Sequence, residues 1–182
     1  MRETNINTGS AVESEHARRL LAAEGYLDLG MYAEAAAELS ELDPACFALE
    51  ETLVLQLCVY AGLHQWQQAH ELAAALAKQD PQNPQWAIWS ASAACRLQSV
   101  EAAKGILLEA LVSHPDNANI HYNLSCYETR LQHYHKAQRH LARAIQLDPR
   151  FKMVAMDDAD LEPLWIEVSH AAAVNNLMGE SL

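Results

Sequence analysis

Apolar residues recur at three- and four-residue spacing from Leu53 to Ala61, from Trp86 to Leu97 and from Ile120 to Leu131. The same spacing returns from Gln67 to Ala77, from Val100 to Val112 and from His135 to Leu147. That period lays one apolar stripe along an α-helix, so each stretch predicts an amphipathic helix. The dipeptides Asp80-Pro81, His114-Pro115 and Asp148-Pro149 close the second helix of each pair, because the residue before proline is biased away from helical geometry. Asn83 and Asn117 then offer side-chain oxygens to cap the following helix, and Pro84 suits a first helical position.

The helices repeat as pairs. At an offset of 34 residues, Pro81, Pro115 and Pro149 coincide, as do Ala69, Ala103 and Ala137, and Leu63, Leu97 and Leu131. Leu29, Tyr32, Ala35 and Leu42 extend the same columns backward to Leu63, Trp66, Ala69 and Leu76. Several independent columns agreeing at one period define an internal repeat. The alanine column has a physical reason: two antiparallel helices approach closely only where a side chain is nearly absent.

These residues resemble the tetratricopeptide repeat family, over roughly residues 14–150. The run from Leu124 and Ser125 through Tyr134, Ala137, Leu141, Ala144 and Pro149 is the clearest copy, and Ala22 and Ala23 through Tyr26, Gly30, Tyr32, Ala35 and Leu39 make another. The family's signature tryptophan is replaced in every unit, by Arg19, Leu53, Ala87 and His121. The first unit meets its proline early, at Pro44, which predicts a shortened second helix and a longer loop through Pro44-Ala45-Cys46. The resemblance implies an all-α fold, a right-handed α-solenoid of about four helix pairs. Residues 151–182 resemble the closing segment of bacterial tetratricopeptide arrays. Asp158 or Asp160 can cap a last helix, Pro163 tolerates its first turn, and Leu161, Leu164, Trp165 and Val168 can cover the final repeat. The expected organisation is a flexible tail over residues 1–10, the repeats over 11–150, and a capping segment with a frayed end over 151–182.

Charge alters this picture mainly by exclusion. A formal net charge of −12 argues against nucleic acid as a partner, since phosphate neutralisation needs clustered Lys and Arg. Residues 1–80 hold thirteen acids and four Lys/Arg, residues 81–152 hold five and eight, and the last thirty hold six acids and no base. No run approaches the roughly 18 consecutive apolar residues of a membrane span, and the start carries no secretory pattern. The expected compartment is the cytoplasm. Cys46, Cys58, Cys95 and Cys126 lack both metal spacing and the density of a disulfide scaffold, and so read as small structural thiols.

No catalytic constellation appears: there is no glycine-rich phosphate loop, no G-x-S-x-G and no H-E-x-x-H. His133, His135 and His140 lie close in sequence without a carboxylate or thiol at ligand spacing, so no metal and no cofactor is expected. The candidate site is the concave groove that the first helices of such repeats line. In the 34-residue register Arg96 and Arg130 share one column, Ile88 and Tyr122 another, and Asn119 and Asn123 flank Tyr122. Arginine grips carboxylates bidentately and asparagine bonds an extended backbone, so these six residues are the expected partner contacts. The carboxylate clamp of tetratricopeptide co-chaperones is not expected, because Leu20 and Glu24 stand where that family places Lys and Asn. The expected function is a non-enzymatic scaffold binding a protein or peptide with an acidic or C-terminal segment, without nucleic acid or membrane insertion. A homo-oligomer is compatible with it. The alternative is a bacterial export chaperone holding one client.

Overall fold

The computed structural model describes residues 8–47 and 49–169; of these, the side chains of 8–14 and of Cys46 are not described. Contacts divide the chain into two units, the first ending at Ala69 and the second beginning at His70. All regular structure in the described residues is helical, and the fold class is an all-α solenoid. Among the described residues no helix is long and apolar enough to cross a membrane. The N-terminal tail expected over residues 1–10 lies outside the described residues up to position 7; α1 begins at Thr8. The frayed end expected at the C-terminus also lies outside them.

The first unit contains α1 (Thr8–Asp28), α2 (Tyr32–Ser40), a 3-10 turn (Pro44–Cys46), α3 (Glu50–Gly62) and the start of α4 (Trp66–Gln79). Its core joins Leu20 and Ala23 of α1, Ala35 and Leu39 of α2, and Leu55 and Val59 of α3. The chain turns from α1 to α2 through Gly30 at φ 71°, with Gly30 N donating to Leu27 O and Met31 N to Tyr26 O. Such a turn needs left-handed backbone, which glycine adopts without a Cβ penalty. The predicted shortening of α2 is present: it has 9 residues, against 14 in each of α4, α6 and α8. The ring of Tyr32 lies flat over Gly62, where any Cβ would collide with it.

The second unit contains the rest of α4, then α5 (Pro84–Leu97), α6 (Val100–Ser113), α7 (Ala118–Arg130), α8 (Tyr134–Leu147) and α9 (Phe151–Asp157). A 3-10 turn (Ala159–Leu161) leads into helical residues 162–169. The predicted caps form. Asn83 accepts from Gln85 N, Asn117 from Ile120 N and Asp158 from Asp160 N, and Pro84 opens α5. Helices α5 and α6 pack as one pair and α7 and α8 as the next. Ala103 and Ala137 are fully buried, as the close-approach column requires.

Two cores fill this unit. Ile88, Ala91, Ala103, Leu107, Ile120, Leu124 and Tyr127 form one. Tyr122, Cys126, Ala137, Leu141 and Ala144 form the other with Ala155, Leu161 and Leu164 of the closing segment. The capping role is therefore carried by Ala155, Leu161 and Leu164. Trp165, expected beside them, stays 37% exposed, with its Nε1 donating to Ala155 O.

Candidate partner-binding face

Helix α7 is nearly enclosed: nine of its thirteen residues are buried. Its remaining positions are exposed Asn119 and Arg130 and half-buried Ala118 and Asn123. At about 100° per residue, positions 119, 123 and 130 fall within about 40° of one another, so they form a single narrow stripe. One repeat earlier, Gln85, Trp89 and Arg96 occupy the same three places on α5, with Ser92 between them. Trp89, Gln85 and Ser92 are half-buried and Arg96 is exposed. The same line is thus exposed or half-buried on two successive first helices.

The two stripes meet at their C-terminal ends. Arg130 Nη1 lies 3.1 Å from Cys95 Sγ, beside Arg96 in the chain. Both arginines sit in the last turn of their helices, where a cation complements the helix dipole. Asn123 Nδ2 donates to Asn119 O at 2.8 Å, which ties the amide along the stripe.

Two of the six expected contacts are elsewhere. Ile88 is buried against Ile120, Leu124 and Tyr127, and Tyr122 is buried beneath the closing segment. Tyr122 stacks on Phe151, with ring centroids 4.6 Å apart, and its hydroxyl donates to Asp158 Oδ2. The reason is common to both. This column faces the next element along the repeat direction, which is α7 for Ile88 and the cap for Tyr122. Neither side chain offers apolar contact to a partner. Trp89 was overlooked by the sequence reasoning, although stepping back 34 residues from Asn123 leads to it.

Two thiols, Cys126 in this region and Cys58 in the first unit, are chemically quiet. Burial, reinforced by the Asp158 charge, pushes Cys126 up to about 12. Burial also raises Cys58. Protonated thiols are poor nucleophiles, which fits structural roles. Burial likewise pushes the Tyr127 hydroxyl up to about 12 and raises Tyr122, whose bond to Asp158 adds to the effect.

Of the three histidines close in sequence, His133 and His135 are exposed and His140 is half-buried. His133 Nδ1 lies 2.7 Å from Oε2 of buried Glu128, and Lys104 Nζ lies 3.5 Å from the same oxygen. His140 faces His121, Nδ1 to Nδ1, at 3.0 Å. Among the described residues no group of three or more His, Cys, Asp or Glu converges as a metal site would require.

Comparison with known proteins yields fold alone. No family model matches the chain, and no curated protein matches it in sequence. A thermophilic TPR protein of Thermus thermophilus superposes at TM-score 0.65 with 17% identity, covering 86% of this chain and 89% of its own. MamA from Desulfovibrio magneticus RS-1 gives 0.59 at 16% identity, covering 92% of this chain and 97% of its own. MamA of AMB-1 gives 0.53 at 16%, covering 90% and 98%. The chain has the tetratricopeptide repeat fold.

Proposed function

We propose that the chain is a non-enzymatic scaffold that holds an extended protein segment along the stripes of α5 and α7. The observation that carries this reading is the repetition of one line of exposed or half-buried residues, Gln85-Trp89-Ser92-Arg96 and then Asn119-Asn123-Arg130, on consecutive first helices. Keeping a face open from one repeat to the next gives an extended ligand equivalent contacts at each step. Trp89 supplies the large anchor that partner surfaces favour, the amides of Gln85 and Asn123 suit a peptide backbone, and the arginines suit a carboxylate. The ligand class this favours is an acidic segment or a free C-terminus.

Binding of a labelled acidic peptide with a free C-terminal carboxylate, read by fluorescence anisotropy at two salt concentrations, tests this. Arg96→Ala with Arg130→Ala should weaken binding by about tenfold, and the loss should shrink at high salt. The matching change of Lys136 and Arg139, exposed on α8, should have little effect. Trp89→Ala should cost more than about 1 kcal/mol. Equal binding by both double variants would remove the stripe as the site.

A further inference from the structure

The closing segment of the second unit turns an unusually apolar face outward. Ala155, Leu161 and Leu164 are consumed by the core. On the same short helices Met153 is 65% exposed, Met156 64%, Ile166 51% and Val154 50%. Ile145, Lys152, Met156 and Trp165 line an open cavity of about 640 Å³. Trp165 is held there by its bond to Ala155 O, so its ring forms a fixed wall rather than a loose flap. Exposed apolar side chains concentrated on one segment beside such a cavity mark a contact surface, and methionine adapts to whatever enters.

The charges around this face say what enters. Asp157, Asp160, Glu162 and Glu167 are exposed along this segment, and the one cation between residues 151 and 169 is Lys152. The methylene stem of Lys152 can cover the cavity while its ammonium reaches water. We infer that this face docks an amphipathic helix of another protein, with an apolar side for the cavity and Lys or Arg along its flanks. Helix-in-groove recognition needs these two features, an apolar slot and a rim of opposite charge. A second copy of this chain fits poorly, because a two-fold contact would set the same carboxylates against each other. An anionic lipid surface is repelled for the same reason. This surface is independent of the stripes on α5 and α7, so either proposal can fail alone.

A labelled helical peptide of leucine and lysine, with the lysines on its flanks, is the probe, against one in which glutamate replaces every lysine. Full-length chain should bind the lysine peptide and not its glutamate counterpart. Ile166→Glu and Met156→Glu should each weaken binding by about tenfold, with unchanged circular dichroism because both positions are exposed. Glu162→Lys should weaken it by a smaller factor, while Glu109→Lys on exposed α6 surface should not. Equal binding of the two peptides, or binding indifferent to Ile166→Glu, would overturn the proposal. So would a concentration-dependent dimer abolished by Ile166→Glu, which assigns the face to a second copy. Magnetisation transfer between the Met156 methyl and residues 170–182 in the free chain, with no peptide bound, would assign it to the chain's own end and overturn the proposal as well.

Discussion

The first and last helix pairs, α1/α2 and α7/α8, are built on one register and filled with different chemistry. Where the family places its tryptophan, the first pair has Arg19 and the last has His121. Each residue meets the position 19 residues further on. Arg19 Nη1 bonds Glu38 Oε2 at 3.0 Å, and His121 faces His140 at 3.0 Å. Glu38 and His140 are themselves three repeats apart in the same column. The tyrosine column diverges likewise, with half-buried Tyr26 in the first pair and buried Glu128 in the last. In these two pairs the same register carries a bridging contact of different chemistry. An ion pair and a pair of imidazoles both serve.

What the two pairs share is the apolar packing around that contact, so removing it should give the largest effect. Leu39 and Leu141 occupy one column, 2% and 4% exposed. Leu39→Ala and Leu141→Ala should each destabilise by about 2–5 kcal/mol, measured by urea unfolding. A much smaller cost for Leu141→Ala would mean that the polar interior of Glu128, His121 and Thr129, rather than packing, holds the last pair together.

The turns give a smaller and signed contrast. Gly30 and Gln132 hold the same place, at φ 71° and 61°. In both the hydrogen bonds are alike: His133 N donates to Glu128 O as Met31 N does to Tyr26 O. A side chain in left-handed backbone costs about 1–2 kcal/mol, so Gly30→Ala should destabilise by about that much. Gln132→Gly should raise the melting temperature slightly, the relief being offset by about 0.5–1 kcal/mol of added unfolded-chain freedom. A loss of stability in Gln132→Gly would show that the glutamine makes a contact worth more than its strain.

The repeat was legible because its causes are local in sequence. A small residue is needed at Ala35, Ala69, Ala103 and Ala137, a breaker at each proline, and a cap at Asn83, Asn117 and Asp158. Four of the seven residues of the candidate face were legible for the same reason, Arg96, Arg130, Asn119 and Asn123. The direction in which each column points was not legible. Periodicity says that Ile88 and Tyr122 share an environment, and only the packing of the following element shows that this environment is the core. The histidine pairing was hidden similarly. His121 and His140 belong to different helices, and the rule linking positions 19 apart emerges only once the Arg19–Glu38 bridge is seen beside it.

That pairing yields the subtlest test, a stronger response to mild acid in the last pair than in the first. Pro115 O accepts from His121 Nε2, so a neutral His121 has a bare Nδ1, and His140 must donate to it. A second proton at this contact would set two N–H groups against each other at 3.0 Å. The charged groups around the rings are Glu128 on α7, with Lys104 and His133 on its carboxylate, and Arg139 on α8. Burial, aided by the His121 ring, lowers His140 from its ordinary value of 6.5. The folded state therefore resists a proton that the unfolded chain accepts. Stability is fully present above about pH 6.5 and declines as pH falls toward the lowered folded value, because there the unfolded state binds more protons. Guanidinium and carboxylate groups ordinarily titrate outside the interval from about pH 5 to 7, so an Arg–Glu bridge gives no such slope. Amide exchange followed from about pH 7.5 to about pH 5.5, an interval spanning the ordinary histidine value, should quicken in α7 and α8 relative to α1 and α2, after correction for intrinsic rates. His140→Gln keeps a donor for His121 without a titrating ring and should flatten the difference. Equal acceleration in both pairs, or a difference that survives His140→Gln, would mean that the imidazole pair is not the source of acid sensitivity.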